Sequence, residues 1–255
     1  MGGYKRRAYQ TGRPLKARRR NSHVRPKGST QRSLNQRTGG FLGRQIKFQD
    51  TYLQNSAIPT PSTAFSSLER DPTTENCLFA PVQGNGESNR DGKRVKVMSV
   101  AVEGNIHYPY NAVSTNVADH WVFLALVQDK QTNGAQLNSE DVYTKPSGQT
   151  MSNQDSMNPL RNMEFTDRFK VLAKRKIRLK PEALWNGTNM SQQATRRCFS
   201  LRKKFKKCPI VHFTGNSGTV ASVVDNSFHV LAWDSDHGSS AAALLSYNAR
   251  TRFIG

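Results

Sequence analysis

Acidic residues are missing from the first 49 positions of this 255-residue chain. The whole chain holds 18 Asp and Glu against 38 Lys and Arg, a formal net charge of +20. A bare monomer so far from neutrality repels itself, and an acidic partner is the obvious remedy. Long apolar runs are missing too. No stretch of 18 apolar residues occurs, which excludes a membrane-spanning helix. The cationic N-terminus lacks the apolar segment of a secretory signal and the apolar stripe of an amphipathic transit peptide. Cysteine is scarce: Cys77, Cys198 and Cys208 are odd in number and have no paired spacing. That argues against a disulfide framework and for a reducing compartment. Nor is there a long helical periodicity.

What is present divides in two. Fourteen Lys or Arg lie between Lys5 and Lys47, ahead of the first acid, Asp50. Residues 1–45 are rich in Arg, Lys, Gly, Ser, Gln and Asn. That composition cannot bury enough surface to offset chain entropy, so an arm disordered when free is expected. Cations cluster at Lys5, Arg6, Arg7, Arg13, Lys16, Arg18, Arg19, Arg20, Arg25 and Lys27. Gly39-Gly40 then precedes Phe41, Ile46 and Phe48, and residues 46–255 form the expected folded body.

In the body, short apolar runs alternate with polar, Gly- and Pro-rich segments. Arg94–Val102 is rich in β-branched residues and predicts a strand. Trp121–Val127 is apolar on both faces and too short for a buried helix, as in a strand covered on both sides. Phe169–Lys180 alternates. The period of two predicts Phe169, Val171, Ile177 and Leu179 in a core between sheets, with Lys170, Lys174, Lys176 and Arg178 outside. Ile210–Phe213, Val220–Val224 and Phe228–Trp233 are further strand candidates. Near the end, Leu245, Tyr247, Ala249, Thr251 and Phe253 alternate with polar residues. Pro181–Trp185 predicts one helical turn, with Pro at its first position. The polar stretches 54–92 and 129–163 are expected to be surface loops. Separated strands with turn-rich connections mean an all-β sandwich or barrel.

The arm is the strongest functional signal. A cationic segment binds polyanions by displacing condensed counterions, which needs charge density and no fixed geometry. It lacks an apolar face, so membrane insertion is not expected. Arg6-Arg7 and Arg18-Arg19-Arg20 are separated by ten residues, the spacing of a bipartite nuclear-import signal, and imply import receptors as partners. Lys174, Lys176 and Arg178 extend the candidate phosphate-binding surface, with Arg202, Lys204 and Lys206 as a second cluster; a plain solvated face is the competing explanation.

Catalytic and metal patterns are weak. Gly215-Asn216-Ser217-Gly218 faintly resembles a protease nucleophile turn, but His107, His120 and His212 lie in no partner motif. Cys198, Cys208 and His212 have the wrong spacing for a zinc finger and are expected to include buried apolar cysteines. Asp234, Asp236 and His237 fit a polar loop. No catalytic residue, metal or cofactor is assigned.

Four segments carry a family resemblance. Asp91-Gly92-Lys93-Arg94-Val95, continuing to Gly104-Asn105-Ile106, resembles an early strand of coat proteins from small circular single-stranded DNA viruses. Val122–Asp129, Arg168–Leu172 and Tyr247–Phe253 resemble others. Together they look like the Rep-encoding group near circoviruses and geminiviruses. The resemblance implies an eight-stranded jelly-roll sandwich, self-assembly into a small icosahedral shell of 60 copies, and packaging of single-stranded DNA. It further implies a virion protein that passes through the host nucleus and meets a host attachment factor. A cellular RNA-binding or ribosomal-type protein with a basic tail shares the charge and the strands. A nucleic-acid enzyme is the remaining alternative, for which no carboxylate cluster is visible.

Overall fold

The β-branched and aromatic runs become eight main strands in a computed structural model that describes residues 45–58, 66–68, 77–109, 120–137, 139–144, 160–180, 183–185, 190–192, 194–234 and 243–255. They are β1 (Ile46–Ala57), β2 (Ser66–Leu68), β3 (Arg94–Tyr108), β4 (His120–Asp129), β5 (Phe169–Leu179), β6 (Thr195–Lys204), β7 (Ser227–Asp234) and β8 (Leu244–Ile254). The arm lies outside the described residues apart from Gln45, which leads into β1.

Two sheets hold these strands. The first has the order β1-β8-β3-β6 and the second β2-β7-β4-β5, with antiparallel neighbours throughout. A short strand, Ile210–His212, extends the β6 side of β3. A chain that passes between two four-stranded sheets in this order is an eight-stranded jelly roll. The main core lies between the sheets. Val97, Val100, Val102, Leu245 and Phe253 face it from the first sheet, and Leu124, Leu126, Phe228 and Val230 from the second.

The second sheet is buried on its other face as well. Phe123, Ala125 and Val127 of β4 and Leu231 and Trp233 of β7 meet Leu137, Val142 and Tyr143 there. Phe123 stacks on Trp233 with ring centroids 4.1 Å apart, and Tyr143 packs against both. Every residue of β7 and residues 122–129 of β4 are buried, as the doubly apolar sequence of β4 implies. The cap comes from the segment expected to be a surface loop at 129–163. Likewise, the stretch 54–92 contributes Cys77, Leu78, Phe79 and Ala80 to the main core.

Other expectations fail for local reasons. In β1 the inward residues are Lys47, Gln49, Thr51 and Leu53, while Ile46 and Phe48 are exposed. The inward polar groups find partners: Lys47 Nζ lies 2.5 Å from Asp91, and Gln49 Oε1 accepts the Ala80 N–H at 3.2 Å. In β5 a bulge breaks the period, since Val127 pairs with Val171 but Leu126 with Ala173. Phe169 and Val171 therefore pack in the outer cluster, and Leu172, Ala173, Ile177 and Leu179 in the main core. Lys170, Lys174, Lys176 and Arg178 are exposed as expected. Ala183–Trp185 is a strand paired with Met190–Gln192, not a helical turn. Val220–Ser222 is a 3-10 turn, leaving Val223 as a single bridge to Phe213. Cys77 is buried and Cys208 half-buried, but Cys198 is exposed on the edge strand β6.

Two buried polar groups tie loops to the sandwich. Arg90 is fully buried. Its guanidinium donates to the carbonyls of Pro81 at 3.0 Å, Gly92 at 2.8 Å and Gly215, and lies 4.4 Å from the centre of the Phe213 ring. Arg90→Met should leave these carbonyls unpaired and lower stability by about 3 kcal/mol or more. Chemical denaturation of the unassembled protein measures it, and an unchanged midpoint would show the clamp to be dispensable.

His229 sits in β7 within 2.8 Å of Ser227 Oγ, whose other neighbour is Thr132 Oγ1 at 2.7 Å. Burial pushes its imidazole down to about 4, with Asp129 opposing and Arg168 reinforcing the shift. The unfolded chain takes up this proton near pH 6.5. The depressed value means that stability is complete above about pH 6.5 and falls as pH drops towards 4, by roughly 3 kcal/mol. Denaturation midpoints across that range should show the loss, and His229→Gln should flatten it.

Candidate nucleic-acid interface

Among the described residues the first sheet buries only one face, which leaves its other face for polar chemistry. The antiparallel register sets outward side chains in cross-strand rows. Phe48, Arg252, Ser99 and Lys204 form one row; Asp50, Arg250, Ala101 and Arg202 form the next; Tyr52, Asn248, Glu103 and Ser200 form the third. Adjacent strands are about 4.8 Å apart, and successive same-face residues about 7 Å apart. The β3 column of Ser99 and Ala101 is small. The flanking β8 and β6 columns, about 10 Å from each other, carry cations. The result is a trough of about 750 Å³ floored by Ser99 and Ala101.

Its two guanidinium groups are held by carboxylates. Arg250 donates to both oxygens of Asp50, at 2.7 and 2.6 Å, and lies 5.0 Å from the centre of the Phe48 ring. That hydrogen bonding holds the Asp50 carboxyl below its usual range and raises the Arg250 guanidinium. Arg202 donates to Glu103 through Nε at 2.6 Å and through its Nη2. Among the described residues, Lys204 and Arg252 make no ion pair. One end of the trough is therefore cationic. The opposite end offers the ring of Tyr52, which is 64% exposed, and the amide of Asn248. These ends lie two rows and about 14 Å apart, one suited to an anion and the other to a flat ring.

The sequence-predicted site residues fall into three places. Lys5, Arg6, Arg7, Arg13, Lys16, Arg18, Arg19, Arg20, Arg25 and Lys27 lie outside the described residues, and the import-signal assignment with them. Arg202 and Lys204 line the trough, and Lys206 follows in the turn after β6. Lys174, Lys176 and Arg178 are on the outer face of the second sheet, paired across from Ala125, Phe123 and Trp121. Lys176 and Arg178 lie 4.7 and 5.7 Å from the Trp121 ring centre. The two cationic clusters thus sit on opposite faces of the sandwich, on the neighbouring edge strands β5 and β6. Arg250, Arg252 and Tyr52 went unnoticed in the sequence. Arg250 and Arg252 stand on the polar parity of the terminal strand, a signal that marks exposure but not which strand lies alongside.

The dismissed motifs have structural roles. Gly215 supplies a carbonyl to Arg90, and His212 pairs with Asp225 at 2.6 Å. Among the described residues, no group of three or more His, Cys, Asp or Glu is placed to hold a metal ion.

The strand order defines a jelly-roll protein with a cationic outer sheet face. Residues 4–254 match the model of the geminivirus coat protein/nuclear export factor BR1 family, and the chain belongs to that family. That family comprises viral coat proteins and nuclear export factors. No curated protein matches it. Among solved structures it is similar to the 60-mer BFDV capsid protein, at 11% identity over 83% of this chain and 93% of that one, with a TM-score of 0.27.

An oligonucleotide seated in the trough should respond to its two ends differently. Lys204→Gln with Arg252→Gln should lower the slope of log affinity against log salt by about 1.4, two single-strand phosphate contacts. Tyr52→Ala should weaken binding by about 1–3 kcal/mol with the slope unchanged. Fluorescence titrations over a salt series separate the two effects.

Proposed function

We propose that this coat protein assembles into a closed icosahedral shell of sixty copies and packages single-stranded DNA, with residues 1–45 as the main phosphate-neutralising arm and residues 46–255 as the shell-forming domain. The observation that carries this is charge placement: fourteen cations and no acid ahead of Asp50, on a chain of the coat-protein family. Thirteen of these cations lie within residues 1–45, so sixty arms would neutralise on the order of 780 phosphates. The trough supports the reading by adding a fixed contact for a nucleotide on the folded body. Lys174, Lys176, Arg178 and Lys206 add charge outside it. The choice of DNA over RNA rests on the family, because cations read phosphates and not the sugar. Arg6-Arg7 and Arg18-Arg19-Arg20 would engage nuclear import receptors, taking the protein to the host nucleus before assembly.

Deleting residues 2–38 tests the division of labour. The truncated chain should fold and form shells, yet retain far less nucleic acid, seen as a lower 260/280 nm absorbance ratio. Its affinity for single-stranded DNA should lose most of its salt dependence. Unchanged content and slope would assign packaging to the folded body alone. Electron microscopy of the full chain decides the assembly reading. Dispersed protein that binds single-stranded DNA without forming shells would favour the nuclear-export branch of the family.

A further inference from the structure

The segment between the outer-face cap and β5 holds apolar side chains in water on a well-braced frame. Leu160 is 59% exposed, Met163 75% and Phe165 38%. Nine large hydrophobic residues are exposed among the described ones, and three of them fall in these six positions. Exposed apolar side chains concentrated in this way mark interaction sites, whereas scattered ones need no explanation.

The frame is firmly tied. Leu160–Arg161 pairs with Tyr143–Thr144 of the cap, and the Asn162 N–H donates to the Val142 carbonyl at 2.9 Å. The Phe165 carbonyl accepts the N–H groups of Arg168 and Phe169 at 3.1 and 3.0 Å. Asn162 Oδ1 accepts the Glu164 N–H at 3.0 Å, and Thr166 donates to the Met163 carbonyl at 3.3 Å. Arg161 is turned back onto the Phe169 carbonyl at 2.5 Å. Lys130 Nζ donates to the Asp167 carbonyl at 2.7 Å, and Arg168 makes a bidentate pair with buried Asp129, both distances 3.0 Å. A turn so braced presents its side chains with little ordering cost left to pay on contact.

Charge indicates the occupant. Among the described residues three of the six exposed acids are matched, Asp50 with Arg250, Asp91 with Lys47 and Glu103 with Arg202, and Glu87, which makes no ion pair, stands apart in the turn before Arg90. Glu164 and Asp167 are exposed and make no such pair. On a chain of net charge +20, they form an acidic, apolar knob. A second copy offers the complement at its neighbouring edge strands, with Lys174 and Lys176 of β5 on the outer face of the second sheet, Lys204 of β6 on that of the first, and half-buried Lys203 between them.

We propose that residues 160–167 form a docking knob for the cationic β5–β6 edge of a second copy of this chain. The contact is head-to-tail. Knob and edge are different patches of one chain, so a single knob-to-edge contact is heterologous and can close into rings. This inference rests on the self-assembly reading for its setting.

The test compares full-length wild type with Glu164→Lys/Asp167→Lys and with Met163→Glu, by sedimentation over a concentration series and by electron microscopy. Met163 is the most exposed of the three apolar residues, so its variant should leave the fold intact. Circular dichroism and oligonucleotide binding report that separately. Both variants should raise the concentration needed for self-association at least tenfold and abolish shells, with dichroism unchanged. Adding Lys174→Glu/Lys203→Glu to the first variant should recover part of the loss. Self-association equal to wild type in both variants overturns the knob. If wild type self-associates without closing shells and the variants still lose association, the shell reading fails while the knob stands.

Discussion

The structure depends on keeping the second sheet dry on both faces. β4 and β7 carry apolar side chains on each side, so a single partner sheet cannot cover them. The first sheet covers one face, and the cap built on Leu137, Val142 and Tyr143 covers the other. Burial pushes the Tyr143 phenol up to about 12, against the opposing influence of Arg161, so it stays neutral at its position over Trp233. The polar cost of this arrangement is met at the end of β4, where buried Asp129 takes both Arg168 and the Gln131 N–H at 2.9 Å. The connection to β5 must therefore run close along the sheet, and the bulge at Leu172 is where the strand passes from one core to the other.

The first sheet faces the opposite situation. With no cap on its outer side among the described residues, it can carry Arg, Lys, Asp and Glu in ordered rows. Small residues at Ser99 and Ala101 in the middle strand turn these rows into a trough instead of a flat charged surface. Gly104 lies on the opposite, core-facing parity of β3, paired with Tyr247; a Cβ there would strike the Ser246 carbonyl and the Tyr247 backbone, so only glycine lets β3 and β8 come this close.

Much of this was legible in the sequence wherever one strand answered to one environment. β4 announced its two-sided burial, β8 its alternation, and residues 1–45 their charge. Legibility failed where a second element set the rule. In β1, inward Lys47 and Gln49 make sense only once Asp91 and Ala80 are placed beside them, which no periodicity within 46–57 can tell. In β5, one inserted residue reversed the faces of Phe169 and Val171. Cys77–Ala80 is a short apolar run inside a polar stretch, and its burial depends on the gap it fills. The trough shows the same limit: Arg202 and Lys204 were visible as a cluster, but Arg250 and Arg252 belong with them only through β3, about 150 residues away from β8.

That register has a consequence for synthesis on the ribosome. β8 lies between β1 and β3, so the strand made last occupies the middle of the first sheet. Pairs such as Asp50 with Arg250 join residues 200 positions apart. Until β8 emerges, β1 has no neighbour, and the nascent chain can assemble the second sheet and the β3–β6 pair but not the complete first sheet. Long-range pairing of this kind is slow and leaves strands open to wrong partners meanwhile. The cationic segment ahead of β1, by contrast, leaves the ribosome first. The charge of residues 1–45 is thus outside the ribosome well before the first sheet is complete, when charged and unpaired segments are open to chaperones and polyanions alike.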